Sequence, residues 1–168
     1  MDLNRERADW PFIRECAVTL FWRKDLFSKA KTDVRTLGYE VLEVVCDSPD
    51  QVIKRISDGL NWSEQFGYEP WTGNLNALDE GLAGAPFPES SCFALCFEGY
   101  HQLVDHDRSF AIGLLDVVET QSRNHLVDGR RLIALVQTDD GSFETEKLGG
   151  NAARWNWQEW LNAARTLR

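Results

Sequence analysis

The chain lacks basic residues across its centre. Between Ile56 and Asp107 there is no lysine and no arginine, whereas this stretch contains nine of the 27 acidic residues. The chain has 18 basic residues and a net charge of −9, so the acids and bases outside this stretch balance. A surface of one sign repels nucleic acid and anionic membranes and attracts cationic partners. The charge pattern therefore predicts a cationic protein partner, with no nucleic-acid or membrane binding. The alternative is that the charge serves solubility alone.

Long apolar runs are also missing. The longest have about seven residues, whereas a membrane-spanning helix needs roughly 20. The first seven residues carry charges of both signs and lead into no signal-type apolar segment, so we expect a cytoplasmic protein. Four cysteines lie in or at the end of apolar runs: Cys16, Cys46, Cys92 and Cys96. This placement favours reduced, buried thiols over a disulfide or redox role.

Sequence motifs of enzymes are absent as well. The chain has no glycine-rich phosphate loop, no nucleophile elbow and no dinucleotide fingerprint. Cys92 and Cys96, followed by His101 and His106, resemble a metal cluster, but residues four apart on a strand share one face and pack together without a metal. We therefore expect no catalytic residue, no metal and no cofactor. An enzyme that uses the acidic segment with His101 or His106 is the alternative.

Four continuous apolar runs are typical of strands that are covered on both faces of a parallel sheet. Segments with helical periodicity lie between them. We expect one α/β domain over residues 1–168, with a mainly parallel sheet of three to five strands and helices packed on it. The runs are Cys16–Trp22, Tyr39–Val45, Ser91–Phe97 and Arg131–Gln137.

Sequence signals also predict where the helices begin and end. Gly38 closes a first helix, Ser48 and Pro49 begin a second, and Ser109 caps a third. Phe143–Leu148 is a candidate edge strand. A last helix is predicted from Asn156, with Glu159 as its capping-box partner. Its inner face would contain Trp157, Trp160, Leu161, Ala164 and Leu167.

A loop rich in aromatic residues and glycine precedes a short helix that begins at Asn74. Leu75, Leu78 and Leu82 fall on one side of this helix and should face the core. Asn76 and Glu80 point the opposite way, flanked by Asp79 and Ala83. Aromatic anchors beside a charge are typical of binding hot spots. The alternative is that the aromatic side chains lie in the core and the acids are merely solvated.

The run from Gly73 to Leu82, preceded by Phe66-Gly67-Tyr68 and Trp71, resembles the aromatic loop and binding helix of the barstar family of intracellular ribonuclease inhibitors. The order of strands and helices around it is also similar, over a core of about 39–137. The flanks, an N-terminal strand and helix at 16–38 and a C-terminal extension at 138–168, resemble a longer bacterial branch of that family.

The resemblance implies a barstar-like fold and an immunity or inhibitor function. In that family an acidic side chain of the helix takes the place of substrate phosphate in the cationic active site of a ribonuclease. Glu80 occupies the position of the family's central Asp. Asn76 replaces a second Asp of the pattern, and Asp79 stands where barstar has a Trp. The predicted partner-binding residues are Tyr68, Trp71, Gly73, Asn74, Asn76, Asp79, Glu80 and Ala83.

We therefore expect a protein that is monomeric when free and that blocks a barnase-like or toxin-type ribonuclease. The alternative is an interaction or regulatory module of the same fold whose basic partner is not a nuclease.

Overall fold

Five parallel strands form one sheet in the computed structural model, which describes residues 8–67, 70–84, 87 and 91–166. The order across the sheet is β2-β3-β4-β1-β5. The first four strands lie within the four predicted runs, except that β3 continues one residue beyond its run to Glu98, which confirms the α/β fold class with a parallel sheet. The strands are β1 (Val18–Phe21), β2 (Glu40–Val45), β3 (Cys92–Glu98), β4 (Arg131–Gln137) and β5 (Arg154–Trp155).

Seven α-helices and two 3-10 helices accompany these strands within the described residues. The 3-10 helices are Trp10–Phe12 and Trp157–Glu159. The α-helices are α1 (Lys24–Thr36), α2 (Pro49–Gly59), α3 (Trp62–Phe66), α4 (Leu75–Gly84), α5 (Tyr100–His106), α6 (Arg108–Val127) and α7 (Ala163–Thr166).

Both faces of the sheet are covered, which explains why β3 and β4 are apolar without alternation. On one face, Phe27, Ala30 and Val34 of α1 pack against side chains such as Cys96 and Leu135. The other face holds the larger part of the core. There α2 packs against β2, α6 packs against β4, and α4 packs on α6.

Two of the predicted helix signals are confirmed. Gly38 follows α1 with a φ of +88°, and the N–H of Tyr39 donates to the carbonyl of Val34, as expected for a glycine-terminated helix. The Ser48 hydroxyl accepts a hydrogen bond from the N–H of Gln51 at the start of α2.

The predicted cap of the third helix is wrong. Asp107, not Ser109, caps α6, because its carboxylate accepts a hydrogen bond from the N–H of Phe110 at 2.9 Å. Ser109 lies inside the helix. The preceding short helix, α5, is not predicted by the sequence pattern.

The edge strand is also misplaced in the prediction. Residues 143–147 form no strand, and β5 at Arg154–Trp155 pairs with β1 instead. The apolar residues of the predicted segment, Phe143 and Leu148, are not paired in the sheet. They are buried in the larger part of the core, on the face of the sheet that α2 and α6 cover. Because β1 lies between β4 and β5, the N-terminal extension supplies an inner strand of the sheet.

The C-terminal segment does not bury the predicted apolar face. Trp157, Trp160 and Leu161 are 80%, 56% and 70% exposed, Ala164 is only partly buried, and Leu167 lies outside the described residues. Two buried charged side chains hold this segment in place instead. Glu159 is buried and accepts hydrogen bonds from the N–H groups of Trp22 and Arg23. Arg165 donates to the carbonyls of Gly141, Glu159 and Trp160.

All four cysteines are free and buried, as predicted. Burial raises the pKa of the Cys16, Cys46 and Cys96 thiols to about 12. Among the helices of the described residues, none combines the length and the apolar composition that a membrane crossing requires.

Candidate partner-binding surface

The inner side of α4 is closely packed against its neighbours. Leu78 and Leu82 are buried, which confirms their predicted orientation. Leu75 lies against α6 at Gly113, where an added Cβ would come within 2.4 Å of the leucine Cδ1. Gly81 faces the Trp62 ring, and a Cβ there would lie 2.5 Å from the ring Cζ3. Glycine at these two positions therefore allows α4 to approach α6 and α3 closely.

The outer side of α4 has the predicted composition. Asn76, Glu80 and Ala83 are exposed, and Asp79 is partly buried at the margin. Within the part of the chain that the structure describes, neither carboxylate has an ion-pair partner. We call Asn76, Asp79, Glu80 and Ala83 the acidic face of α4.

The start of α4 is fixed by the two residues before it. The side-chain oxygen of Asn74 accepts hydrogen bonds from the N–H groups of Asn76 at 3.0 Å and Ala77 at 3.2 Å, which satisfies two donors of the first turn. Gly73 has a φ of +97°, and an added Cβ would lie 2.9 Å from Cδ1 of Ile53. The backbone conformation therefore favours glycine, and a larger residue would also displace the end of the Ile53 side chain. Both residues belong to the predicted site, and both shape the helix start.

Trp71 lies in the core rather than on the surface. It is 3% exposed, its backbone N–H donates to the Ser57 hydroxyl, and its ring stacks on Phe110 with centroids 6.3 Å apart. Its Nε1 donates to the carbonyl of Asn74 at 2.7 Å. The ring therefore supports the start of α4 and is not available to touch a partner, so the core interpretation of the aromatic loop applies to Trp71. Tyr68, the other aromatic residue of the predicted site, lies outside the described residues.

Sequence reasoning missed Gln121 as a member of this region. Its Nε2 donates to Oδ1 of Asp79 at 2.7 Å, although the two residues are 42 positions apart. Gln121 falls on the apolar stripe of α6 and is 4% exposed. A glutamine on a buried stripe needs a hydrogen-bond partner. Its position on that stripe was the only sign in the sequence that Gln121 contacts another polar residue.

Several acids of the central segment are neutralised or engaged locally. Asp58 pairs with Lys54, Glu98 pairs with Lys24, and Asp107 caps α6. Glu64 and Glu80 differ from them, because both are exposed and neither forms an ion pair within the described chain. Unpaired acidic side chains therefore lie on both α3 and α4, and these helices pack together through Trp62 and Gly81.

The residues considered for enzyme or metal chemistry do not converge. Cys92 and Cys96 lie on buried strand β3, and the ring Nδ1 of His101 accepts a hydrogen bond from the N–H of Asp139. Among the described residues, no three histidine, cysteine or acidic side chains are grouped closely enough to hold a metal ion.

Comparisons of the chain with protein-family models, with curated proteins and with solved structures give no match.

Proposed function

We propose that this protein is a cytoplasmic inhibitor of a cationic ribonuclease, of the barnase-like or toxin type. The acidic face of α4 would enter the nuclease active site and occupy the place of RNA phosphate. The observation that carries the proposal is an exposed carboxylate, Glu80, beside a second one, Asp79, on a firmly packed helix, where neither carboxylate forms an ion pair with a residue that the structure describes. The resemblance of residues 73–82 to the barstar binding helix supports the same function.

The packing of α4 makes it suitable for tight binding. Leu78 and Leu82 on its inner side are buried, its first turn is capped by Asn74, and Trp71 holds the loop before it. Little backbone ordering is then needed when a partner binds, and an interface that is already ordered loses less free energy on association.

The acidic face is chemically complementary to a site that binds phosphate on another protein. Ribonucleases hold the RNA backbone with cationic side chains, and arginine forms paired charge-assisted hydrogen bonds with carboxylate as it does with phosphate. Asn76 and Ala83 flank the carboxylates with short uncharged side chains, so an opposing surface can approach closely. Glu64 would act at longer range by raising the association rate.

The proposal is tested by titrating the protein into barnase and several toxin-type ribonucleases while RNA cleavage is followed at two salt concentrations. We expect one-to-one inhibition of at least one enzyme, with association slowed by salt because exposed charges are screened. Failure to inhibit any of them would refute the proposal for these enzyme classes. It would favour a regulatory module whose basic partner is not a nuclease, since the same acidic face would serve that partner.

A further inference from the structure

Gln121 is one of several buried polar residues in the second half of α6. Its neighbours along the buried stripe, Leu114 and Val118, are fully buried and apolar. Gln121 is 4% exposed, yet its side chain reaches the edge of the acidic face of α4. A buried amide is retained at such a position only when its hydrogen bonds are made.

The hydrogen bonds of Gln121 form a short chain that ends at Asp79. Asn124 donates from Nδ2 to the Gln121 Oε1 at 3.4 Å, which favours the orientation in which Gln121 presents its NH2 group to α4. Gln121 then donates to Asp79 Oδ1 at 2.7 Å. Oδ2 of Asp79 accepts no hydrogen bond from any described residue.

This contact makes the two carboxylates of the acidic face unlike one another. Asp79 is held in place by a partly buried hydrogen bond from a rigid helix. Glu80 is exposed and makes no such bond to the described residues, so its longer side chain is free to change rotamer. One carboxylate therefore has a fixed plane before any partner arrives, and the other adapts.

We propose that Gln121 is a positioning residue of this surface and that, by fixing the plane of Asp79, it makes the acidic face select arginine over lysine in its partner. A guanidinium is a planar fork whose hydrogen bonds depend on the orientation of the carboxylate. An ammonium is a compact charge that bonds a carboxylate in many orientations. The inference rests on the proposed function only in using the same face of α4.

The experiment uses the full chain and two short peptides, hexaarginine and hexalysine, at low salt. Binding is followed by the amide NMR signals of α4, and the ratio of the two dissociation constants is measured. Because the gain comes from one oriented hydrogen bond to a charged group, we expect the parent to bind hexaarginine about three- to tenfold more tightly. Gln121→Met, which keeps the length of the side chain and suits the apolar stripe, should bring the ratio close to one.

Two variants make the result specific. Asp79→Ala removes the same contact from the exposed side and should also abolish the selectivity, so the inference stays testable if Gln121→Met folds poorly. In the Asp79→Ala background, Gln121→Met should have no further effect on the ratio. Gln102→Met, at an exposed glutamine of α5, should leave the ratio unchanged.

A parent ratio of one, or a ratio that Gln121→Met leaves unaltered, would overturn the inference. These outcomes are separate from those of the ribonuclease titration. Selective peptide binding without nuclease inhibition would reject the proposed function and keep the role of Gln121. Nuclease inhibition with no effect of Gln121→Met on the ratio would do the reverse.

Discussion

Replacement of Trp71 by alanine tests whether the aromatic loop is part of the core. The side chain is 3% exposed, lies between Trp62 and Phe110, and donates a hydrogen bond to the carbonyl of Asn74. Loss of a buried tryptophan ring costs about 3–5 kcal/mol, because the transfer free energy of the ring is lost and a cavity remains.

The milder change Trp71→Phe keeps most of the ring packing and removes the hydrogen bond from Nε1. The carbonyl of Asn74 would still accept from the N–H of Leu78, so it would not be left unsatisfied. For the lost hydrogen bond alone we expect a cost of about 1 kcal/mol.

Urea unfolding followed by circular dichroism measures both losses in the free energy of unfolding. In thermal unfolding of a chain of this size, each kcal/mol lowers the melting temperature by about 2–4 °C, so Trp71→Ala should melt about 6–20 °C below the parent. Trp157→Ala is the matched control, since Trp157 is 80% exposed, and should stay within about 0.5 kcal/mol of the parent. If Trp71→Ala were as stable as Trp157→Ala, Trp71 would be a surface residue and its assignment to the core would be wrong.

Two further predictions concern parts of the molecule away from α4. Glu159→Ala removes the buried carboxylate that accepts hydrogen bonds from the backbone N–H groups leading into α1. It should lower the free energy of unfolding by about 3 kcal/mol and speed the hydrogen exchange of those amides. An unchanged exchange rate would contradict the contact. The three thiols with a pKa of about 12, Cys16, Cys46 and Cys96, stay neutral when folded, whereas unfolded thiols titrate near 9.0. The free energy of unfolding should therefore fall as the pH rises from about 9 to 12, by about 1.4 kcal/mol per pH unit for each thiol, and Cys96→Ala should make that decline less steep.

Most of the sheet could be predicted from the sequence because its signal is local. A continuous apolar run bounded by turn residues is enough to indicate a strand covered on both faces, and four such runs became β1 to β4. The orientation of α4 was predictable for a similar reason, since a period of 3.6 residues separates its leucines from Asn76 and Glu80.

The C-terminal segment could not be predicted in this way. Its tryptophans suggest a buried helix face, but the interior positions are taken by Glu159 and Arg165. Glu159 binds the backbone N–H groups of Trp22 and Arg23, and Arg165 binds the carbonyl of Gly141, all of them outside the segment. Apolar composition does not force burial when polar side chains make the anchoring contacts.

The candidate site shows the same limit. Whether Trp71 points inward depends on Ser57 of α2 and Phe110 of α6, and the role of Gln121 depends on Asp79 of α4. These are contacts between different helices, and no local pattern specifies them.

The central claim is that the acidic face of α4 binds a ribonuclease active site. Its most direct test is the inhibition constant of Glu80→Gln relative to the parent. Glu40→Gln serves as the control, since Glu40 is an exposed acid at the start of β2 and outside the acidic face. Because a central interface charge contributes at the scale of a hot spot, we predict at least about 30-fold weaker inhibition by Glu80→Gln and no change for Glu40→Gln. Equal inhibition by the parent and Glu80→Gln, or no inhibition by the parent, would contradict the claim.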